Sequence, residues 1–538
     1  GTRSLADIVT VISRAQAMTL PVVLCVLTLT LPVSSATETY PVHATEACDG
    51  TSDTWSASAT NSVIQGRVDV LAGVDLKVHP GSDVAKTGRG EWIISPEGGC
   101  GQEDLEGLAQ KMPNNTRAVL HGHPGKGGLC FFVMEGTREG VWEKLTMHRW
   151  NSTPKVETDA PVFLDRELDQ VKRDAEADLP WGLDRIDGRE GLDGHFNRTG
   201  TTGGSGVDIY VIDTGIMASH SEFGGRVVPE LESHMETYPR DTYPKDCHEE
   251  SSFCANDRDG HGTFCAAVIG GRNVGVAPNA KLHAVKVLAG KGETGKVKFL
   301  YNAFDRLLSK DLPTASSIFS ISLSIAAEPG SSLLNTALKK AFEETCNRGI
   351  TLVGSAGNHN QDDGWFLGLP EHTGAILVGA TDKSDKEQLH NNQAADIYAP
   401  GIDIKSAWID LPDDHAWMDF TRRRRSYENY KTMSGTSAAA PHVAGAAALL
   451  LSEAMSQNLR FPPGEVKDTL VRLATPFGGK KDVLGRYWKT PQKPLLYIGD
   501  APSWMETTEA GASAQRTGTE GLPENVGGLH RKFKLVLR

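Results

Sequence analysis

Four segments of this 538-residue chain place an acid, a histidine, an amide and a serine beside glycines. In the first, Val207-Asp208-Ile209-Tyr210-Val211-Ile212-Asp213-Thr214-Gly215, an apolar strand ends in Asp213 and a tight glycine turn. Sites in open α/β sheets form at such carboxyl ends of strands. Taken alone, Asp213 would serve equally well as a helix N-cap. The second is Asp259-Gly260-His261-Gly262-Thr263, running into Phe264-Cys265-Ala266-Ala267-Val268. Its glycines leave the imidazole uncrowded, and the small residues after it start a packed helix. A lone histidine is more often structural than catalytic, yet two flanking glycines have no obvious packing rationale.

The third segment, Val353-Gly354-Ser355-Ala356-Gly357-Asn358, is again a strand ending in a glycine turn. Asn358 either favours a left-handed turn or offers its side-chain amide as an oxyanion donor. The fourth is Met433-Ser434-Gly435-Thr436-Ser437-Ala438-Ala439-Ala440-Pro441-His442-Val443-Ala444-Gly445. Ser437 stands where a loop becomes a helix, with Pro441 expected in the first turn. Free backbone N–H groups and the positive dipole end point at that spot. A serine there is either an N-cap or a nucleophile whose own N–H supports the developing oxyanion.

Each segment is modest alone. Their order (Asp, His, Ser, with Asn358 between the last two) matches a subtilase and differs from that of chymotrypsin-like and α/β-hydrolase enzymes. Over about residues 180 to 495 the chain resembles the subtilisins, most closely the proteinase K branch. The resemblance extends to Pro180-Trp181-Gly182-Leu183-Asp184-Arg185-Ile186, Gly275-Val276-Ala277-Pro278-Asn279-Ala280-Lys281-Leu282 and Ala399-Pro400-Gly401. It implies a serine endopeptidase acting on proteins or peptides, with no cofactor for the chemistry and no catalytic metal. Ser437 would be the nucleophile, His261 the general base and then acid, and Asp213 the residue that orients His261. Asn358 and the N–H of Ser437 would form the oxyanion hole. The base must be neutral, so activity is expected to fall as pH drops through an ordinary histidine pKa of about 6.5.

The resemblance also names a substrate-binding set: Gly292, Glu293, Thr294 and Gly295 on one edge, Ser324, Ile325, Ala326 and Ala327 on the other, with Gly354, Ser355, Ala356 and Gly357. An extended peptide would pair between the edges by strand addition. Ala326 and Ala327 stand where the family usually has two glycines, and their methyls shrink the primary pocket. Cys265, four residues after His261 on the presumed helix, shares its face. In the proteinase K branch a free cysteine there sits beneath the histidine; a small buried core residue is the plainer alternative. Only Asn273-Val274 separates Arg272 from Gly275, so the long calcium loop of bacterial subtilisins is missing. A structural calcium ion elsewhere has no site that can be placed from sequence.

These residues need an α/β scaffold. From residue 180 to 498 strands and helices alternate as in a mainly parallel sheet, the three-layer arrangement of the subtilisin-like domain. Val207–Ile212, Ile350–Val353 and Ile376–Val378 read as buried strands. Val297, Leu300, Tyr301, Phe304, Leu307 and Leu308 fall on one helix face, as do Leu334, Ala337, Leu338, Ala341 and Phe342. Upstream, residues 89–165 read as a ferredoxin-like α+β unit in split βαβ order. Its strands are Glu91–Ile94, Arg117–His121, Leu129–Met134 and Lys155–Thr158; its helices carry Leu105, Leu108, Ala109 and Met112, then Val141, Trp142 and Leu145. It resembles the family's inhibitory propeptide, which is therefore an expected intramolecular partner. Residues 37–88 show no strong periodicity and stay unassigned within the pro-region.

Residues 166–179 form a charged, exposed linker, expected to be cut first to give a mature chain beginning near Pro180. Lys172-Arg173 also offers a site to a separate processing enzyme. Residues 1–36 contain an apolar run, Leu20–Val33, followed by Ser34-Ser35-Ala36, the pattern of a signal peptide. The chain opens with Gly1, so Met18 is a candidate initiator, although it leaves no positive n-region. Residues 499–538 are rich in Gly, Thr, Glu and Ser and are expected to be disordered.

A formal net charge of -13 argues against a nucleic-acid partner. Leu20–Val33 is too short for a good membrane span, so a monomer in the secretory pathway, a vacuolar lumen or the exterior is expected. Of eight cysteines, Cys25 would leave with the signal, and the odd remainder requires a free thiol or an intermolecular bond. Cys247 and Cys254 flank a short acidic loop and suggest a local disulfide, with a zinc site including His248 as the weaker option. Sequons at Asn114, Asn151 and Asn197 are compatible with glycosylation. Arg422–Arg425 lies in an insertion that reads as a solvated loop or a partner-binding one. Two other functions compete. A secreted pseudoprotease is disfavoured by competent residues at all four positions. A processing protease for basic sites would need an acidic pocket, but Ala326-Ala327 offers no carboxylate and Glu328 is a remote candidate.

Overall fold

The structure, a computed structural model, describes residues 74, 76–79, 81–96, 98–163, 173–174, 179–197, 200, 202–233, 245–247, 254–288, 295–325, 336–358, 373–387, 395–409, 429–477 and 493–499. Residues 1–36, expected as a signal peptide, most of 37–75, the expected linker apart from 173–174 and 179, Arg422–Arg425 and residues beyond 499 lie outside these residues.

The strand Arg89–Pro96 is buried on both faces because each side meets a different partner. Trp92 and Ile94 pack with Leu105, Leu108, Val141 and Leu145 of the unit's own helices. Ile93, pointing the other way, packs with Phe131, Val133, Leu300, Tyr301 and Phe304. Alternation along a strand therefore gives this small unit two apolar faces, one inward and one for the downstream domain. The elements in order are β1 (Leu76–Lys77), α1 (Asp83–Thr87), β2 (Arg89–Pro96), α2 (Gln102–Ala109), β3 (Arg117–His121), β4 (Phe132–Thr137), α3 (Arg138–Met147), β5 (Pro154–Thr158) and β6 (Pro161–Phe163). The sheet order is β1-β5-β2-β4-β3, and the four long strands pair antiparallel throughout.

Three boundaries differ from the sequence reading. The unassigned stretch before residue 89 contributes β1, parallel to β5, and the helix α1, which is capped by the Ser82 hydroxyl at 3.2 Å from the Ala85 N–H. Two paired residues are too few to show periodicity. Met112 falls beyond α2, past a left-handed Lys111 at φ 48°. Strand β4 starts at Phe132 instead of Leu129, whose N–H donates to the Asp305 carboxylate at 2.8 Å. A disulfide that sequence analysis did not foresee, Cys100–Cys130, ties the α2 side of this unit to β4's approach.

The larger domain contains β7 (Arg173–Asp174), α4 (Trp181–Asp187), β8 (Asp208–Asp213), β9 (Val227–Glu232), β10 (Lys245–Asp246), α5 (His261–Gly270), β11 (Lys281–Lys286), β12 (Gly295–Lys296), α6 (Val297–Leu308), β13 (Ser317–Ile321) and β14 (Ser324–Ile325). It continues with α7 (Thr336–Asn347), β15 (Thr351–Ser355), β16 (Ile376–Thr381), β17 (Ile397–Pro400), β18 (Ile404–Trp408), β19 (Asn429–Met433), α8 (Thr436–Ser456), α9 (Pro463–Leu473), β20 (Thr475–Phe477) and β21 (Lys493–Leu495). The main sheet has the order β10-β9-β11-β8-β13-β15-β16-β17-β21-β20. It is parallel from β9 to β21, with one antiparallel strand at each edge. Helix layers cover both faces, as a buried parallel sheet requires. One core gathers Ile209, Val211, Ile376 and Val378 under α5 and α8. The other places Tyr210, Ile212 and Phe319 under α6 and α7 and continues into Ile93, Phe131 and Val133 of the upstream sheet.

Helix α8 is long and apolar enough to cross a membrane, but 89% of its most apolar window is buried in this core. Arg173, expected in an exposed linker, instead pairs with Lys431, so β7 extends the β18–β19 hairpin.

Candidate active site

Strand β8 delivers Asp213 at its carboxyl end because its neighbours β11 and β13 run parallel and in register with it. Helix α5 starts at His261, next to Gly260 at φ 109°. A Cβ at Gly260 would meet the Trp408 ring at 2.5 Å, and one at Gly262 would meet the Gly215 carbonyl at 2.1 Å. The flanking glycines thus have a packing reason that sequence reading did not find. The two backbones must touch for the side chains to meet.

They do meet. His261 Nδ1 lies 2.8 Å from Asp213 Oδ1 and 3.0 Å from Oδ2, with both residues buried. Burial by itself would depress the imidazole pKa. The Asp213 charge and hydrogen bond outweigh it and hold His261 well above its ordinary value. Sequence alone carries no measure of that charge and offers only the ordinary histidine value of about 6.5. The other ring nitrogen, Nε2, is buried without a hydrogen-bond partner, so it is available for a proton.

Ser437 is the second residue of α8, not its cap, and lies near His261 across one sulfur. Cys265 Sγ is 3.8 Å from His261 Nδ1 and 3.5 Å from the Ser437 carbonyl. The Ser437 hydroxyl donates to the Ser322 carbonyl at 3.2 Å. Hydrogen bonds of this kind are often loose until substrate arrives. Asn358, just past β15, accepts from the Thr436 N–H at 2.7 Å and the Thr436 hydroxyl at 3.0 Å through Oδ1. That fixes its amide beside the start of α8, with Nδ2 facing Gly435.

The substrate-binding set is brought together in part. Strand β6 of the upstream unit lies between β12 and β14, antiparallel to both. Val162 stands opposite Gly295 and Ile325, and Phe163 opposite Ser324. Gly354 and Ser355 end β15, and Ala356 and Gly357 lead on to Asn358. Gly292, Glu293, Thr294, Ala326 and Ala327 lie outside the described residues, as does His248. Cys247 and Cys254 form the expected disulfide, and Cys346 joins Cys265 as a buried free thiol.

The sequence model of the subtilase family matches residues 204–509. An extracellular serine proteinase of Thermus sp. (strain Rt41A) is 35% identical over 315 residues, 58% of this chain and 65% of that protein. Subtilisin-like protease 3 of Pseudogymnoascus destructans is 33% identical over 341 residues, 61% of this chain and 72% of that protein. The chain belongs to the subtilase family. A solved structure described as a cold adapted subtilisin-like serine proteinase shares 31% identity, with coverage of 60% of this chain and 98% of that one, at a TM-score of 0.45.

Three positioning groups of this subtilase escaped sequence reading. Asp257 is buried behind the pair, and its carboxylate accepts from the Thr214 hydroxyl at 2.8 Å, the Asp259 and Gly260 N–H groups at 2.9 Å, and the Thr263 hydroxyl at 2.6 Å. It ties the end of β8 to the start of α5. Ser322 receives the serine hydroxyl, and Thr436 orients Asn358. Ser322 and Thr436 meet partners far away in sequence, and Asp257 joins nearby Asp259, Gly260 and Thr263 to the distant Thr214.

Pro441 also sits deeper in α8 than the first turn expected for it. Having no N–H, it leaves the Ser437 carbonyl without its helical donor. The Cys265 thiol donates there instead, and burial pushes its pKa up so that it stays protonated. Asp213, His261 and Cys265 have ligand atoms within 4.8 Å of one another, the spacing of a metal site among the described residues. All three are already engaged, Asp213 with His261 and the Cys265 thiol with the Ser437 carbonyl.

Proposed function

We propose that the chain is a secreted serine endopeptidase made as a self-processed zymogen. The observation that carries the first part is the buried Asp213–His261 pair, with its free Nε2, next to Ser437 at the start of α8. Ser437 Oγ attacks a peptide carbonyl as His261 takes its proton. Asp213 stabilises the imidazolium, and Asn358 with the Ser437 N–H meets the oxyanion. His261 then gives its proton to the leaving amine, and water hydrolyses the acyl-enzyme. His261 must be neutral to act, so activity falls as pH drops through its raised pKa.

The zymogen reading is supported by β6, which fills the space between β12 and β14 where a substrate strand would add. The split βαβ strand order of residues 89–158 fits the ferredoxin-like unit expected of the family's inhibitory propeptide. Joined to the enzyme, that unit acts at high effective concentration. Secretion is supported by the two disulfides and by relatives named as extracellular.

The test compares wild type with Ser437→Ala, expressed alone in a protease-deficient host. Wild type should separate into propeptide and core, and a serine-directed reagent should label the core. Ser437→Ala should stay a single unlabelled chain. Normal maturation of Ser437→Ala would refute self-processing, and labelling elsewhere would refute the nucleophile.

A further inference from the structure

The segment leading into β6 is held by one buried carboxylate that the catalytic chemistry does not use. Asp159 lies at the end of the upstream sheet. Its N–H donates to the Glu91 carbonyl at 2.9 Å, and its Oδ1 accepts from the Lys298 N–H at the start of α6 at 2.9 Å. The next residue, Ala160, accepts from the Val297 N–H at 3.0 Å. These bonds set the register in which Pro161–Phe163 enters between β12 and β14.

Asp159 is only 4% exposed, and its second oxygen, Oδ2, has no hydrogen-bond partner. Every charged group around it is itself engaged or of like sign. Lys298 Nζ pairs with Glu91 of β2, and Lys296 Nζ pairs with Asp83 at 2.6 Å and reaches Glu91 at 3.9 Å. Glu157, two residues back, pairs with His79 at 3.3 Å and leaves its own Oε1 buried without a partner. Tyr301 of α6 lies close enough to feel both Glu157 and Asp159. A carboxyl group in such a place is favoured as the neutral acid.

We propose that Asp159 is a proton-controlled clasp between propeptide and enzyme, which seats β6 in the cleft when protonated and loosens it on ionisation. It rests on the propeptide reading above and adds how release is triggered. Burial raises the Asp159 carboxyl to about 7 in the closed state, against the pull of Lys298 and with the push of Glu91. A carboxyl freed into water returns toward 3.8. The closed state therefore binds the extra proton. Its advantage is full at low pH, declines as pH rises above the free-carboxyl range, and is gone above about 7. The zymogen stays shut in acid and opens toward neutrality.

The clasp can be read in the uncut Ser437→Ala chain by hydrogen exchange of the Val162 and Phe163 amides, corrected for intrinsic rates. Exchange should be at least tenfold faster at pH 8 than at pH 5, and Asp159→Asn should abolish that difference while keeping the strand protected. Glu91→Gln, which removes a like charge and so lowers the closed-state pKa of Asp159, should shrink the difference between the two pH values. Equal protection at both pH values, or an unchanged pH response in Asp159→Asn, overturns the clasp. If the switch appears but wild type never separates into two chains, the clasp stands and the self-processing reading fails.

Discussion

Asp305 of α6 is wholly buried and spends its carboxylate on the upstream unit. Oδ2 meets His123 Nδ1 at 2.6 Å, and Oδ1 accepts the His123 and Leu129 N–H groups at 2.8 Å each. The helix thus carries a carboxylate whose partners lie on a 122–129 loop of the upstream unit. A Cβ on Gly128 would come within 2.2 Å of Asp305 Oδ1, so the loop fits only as glycine there. Asp305→Ala should leave three donors without their acceptor, the Leu129 N–H among them buried, and weaken docking by about 2 kcal/mol. The yield of processed enzyme should fall, while kcat/KM of the enzyme that does mature stays within about twofold of wild type. A normal yield would show that the loop does not anchor the unit.

The pH–rate profile of kcat/KM should show an acid limb above the ordinary histidine value of about 6.5, because Asp213 stabilises the charged imidazole. Only the neutral form accepts the Ser437 proton, so the rate falls as pH drops through that raised pKa. Asp213→Asn should lower kcat by several orders of magnitude, roughly 10⁴-fold in the comparable serine proteases. A limb at or below pH 6 in wild type would contradict the assignment.

Mercurials should inhibit through Cys265, and Cys265→Ser should resist them while keeping most activity, since its hydroxyl still donates to the Ser437 carbonyl. Cys265→Val should be worse than Cys265→Ser. It removes the donor that offsets Pro441 and leaves a buried carbonyl unpaired, a loss of about 1–3 kcal/mol. Thermal denaturation of the two variants gives the comparison. Undiminished mercurial sensitivity in Cys265→Ser would transfer the effect to another thiol, such as Cys346, which is the other buried free thiol among the described residues.

Asp257→Ala should reduce kcat far more than it changes KM, because Asp257 touches no part of the cleft and acts by fixing Thr214, Gly260 and Thr263. It should also destabilise the domain by more than about 2 kcal/mol. A variant that loses stability but keeps wild-type kcat would make Asp257 structural only.

Self-cleavage should fall within a few residues after Phe163, well short of Pro180. Phe163 pairs with Ser324, and the Ser437 hydroxyl is bonded to Ser322, two residues further along the same edge. Two residues of strand span about 6–7 Å. N-terminal sequencing of the first core product decides it, and a first cut near Pro180 would reverse the expectation.

Much of this was legible in the sequence because the motifs are local. Asp213, His261, Asn358 and Ser437 each end a strand or start a helix within a short run whose turn chemistry is written in its glycines. The helix stripe from Val297 to Leu308 and the alternating strands of the upstream unit follow the same rule, since periods of 3.6 and 2 need only neighbouring residues. The Cys247–Cys254 disulfide was likewise within reach of a short loop.

What tertiary structure alone decided depends on partners far apart in the chain. Asp305 with His123, Asp159 with Lys298, Thr436 with Asn358 and Cys265 with the Ser437 carbonyl are separated by 182, 139, 78 and 172 residues. No periodicity links such pairs. The fold brings them together when two apolar faces of the upstream sheet find two different cores, and only then do desolvation and charge fix the pKa of His261 and of Asp159. The sequence determined which chemistry this chain carries; the packing decided which groups position it and which strand lies between β12 and β14.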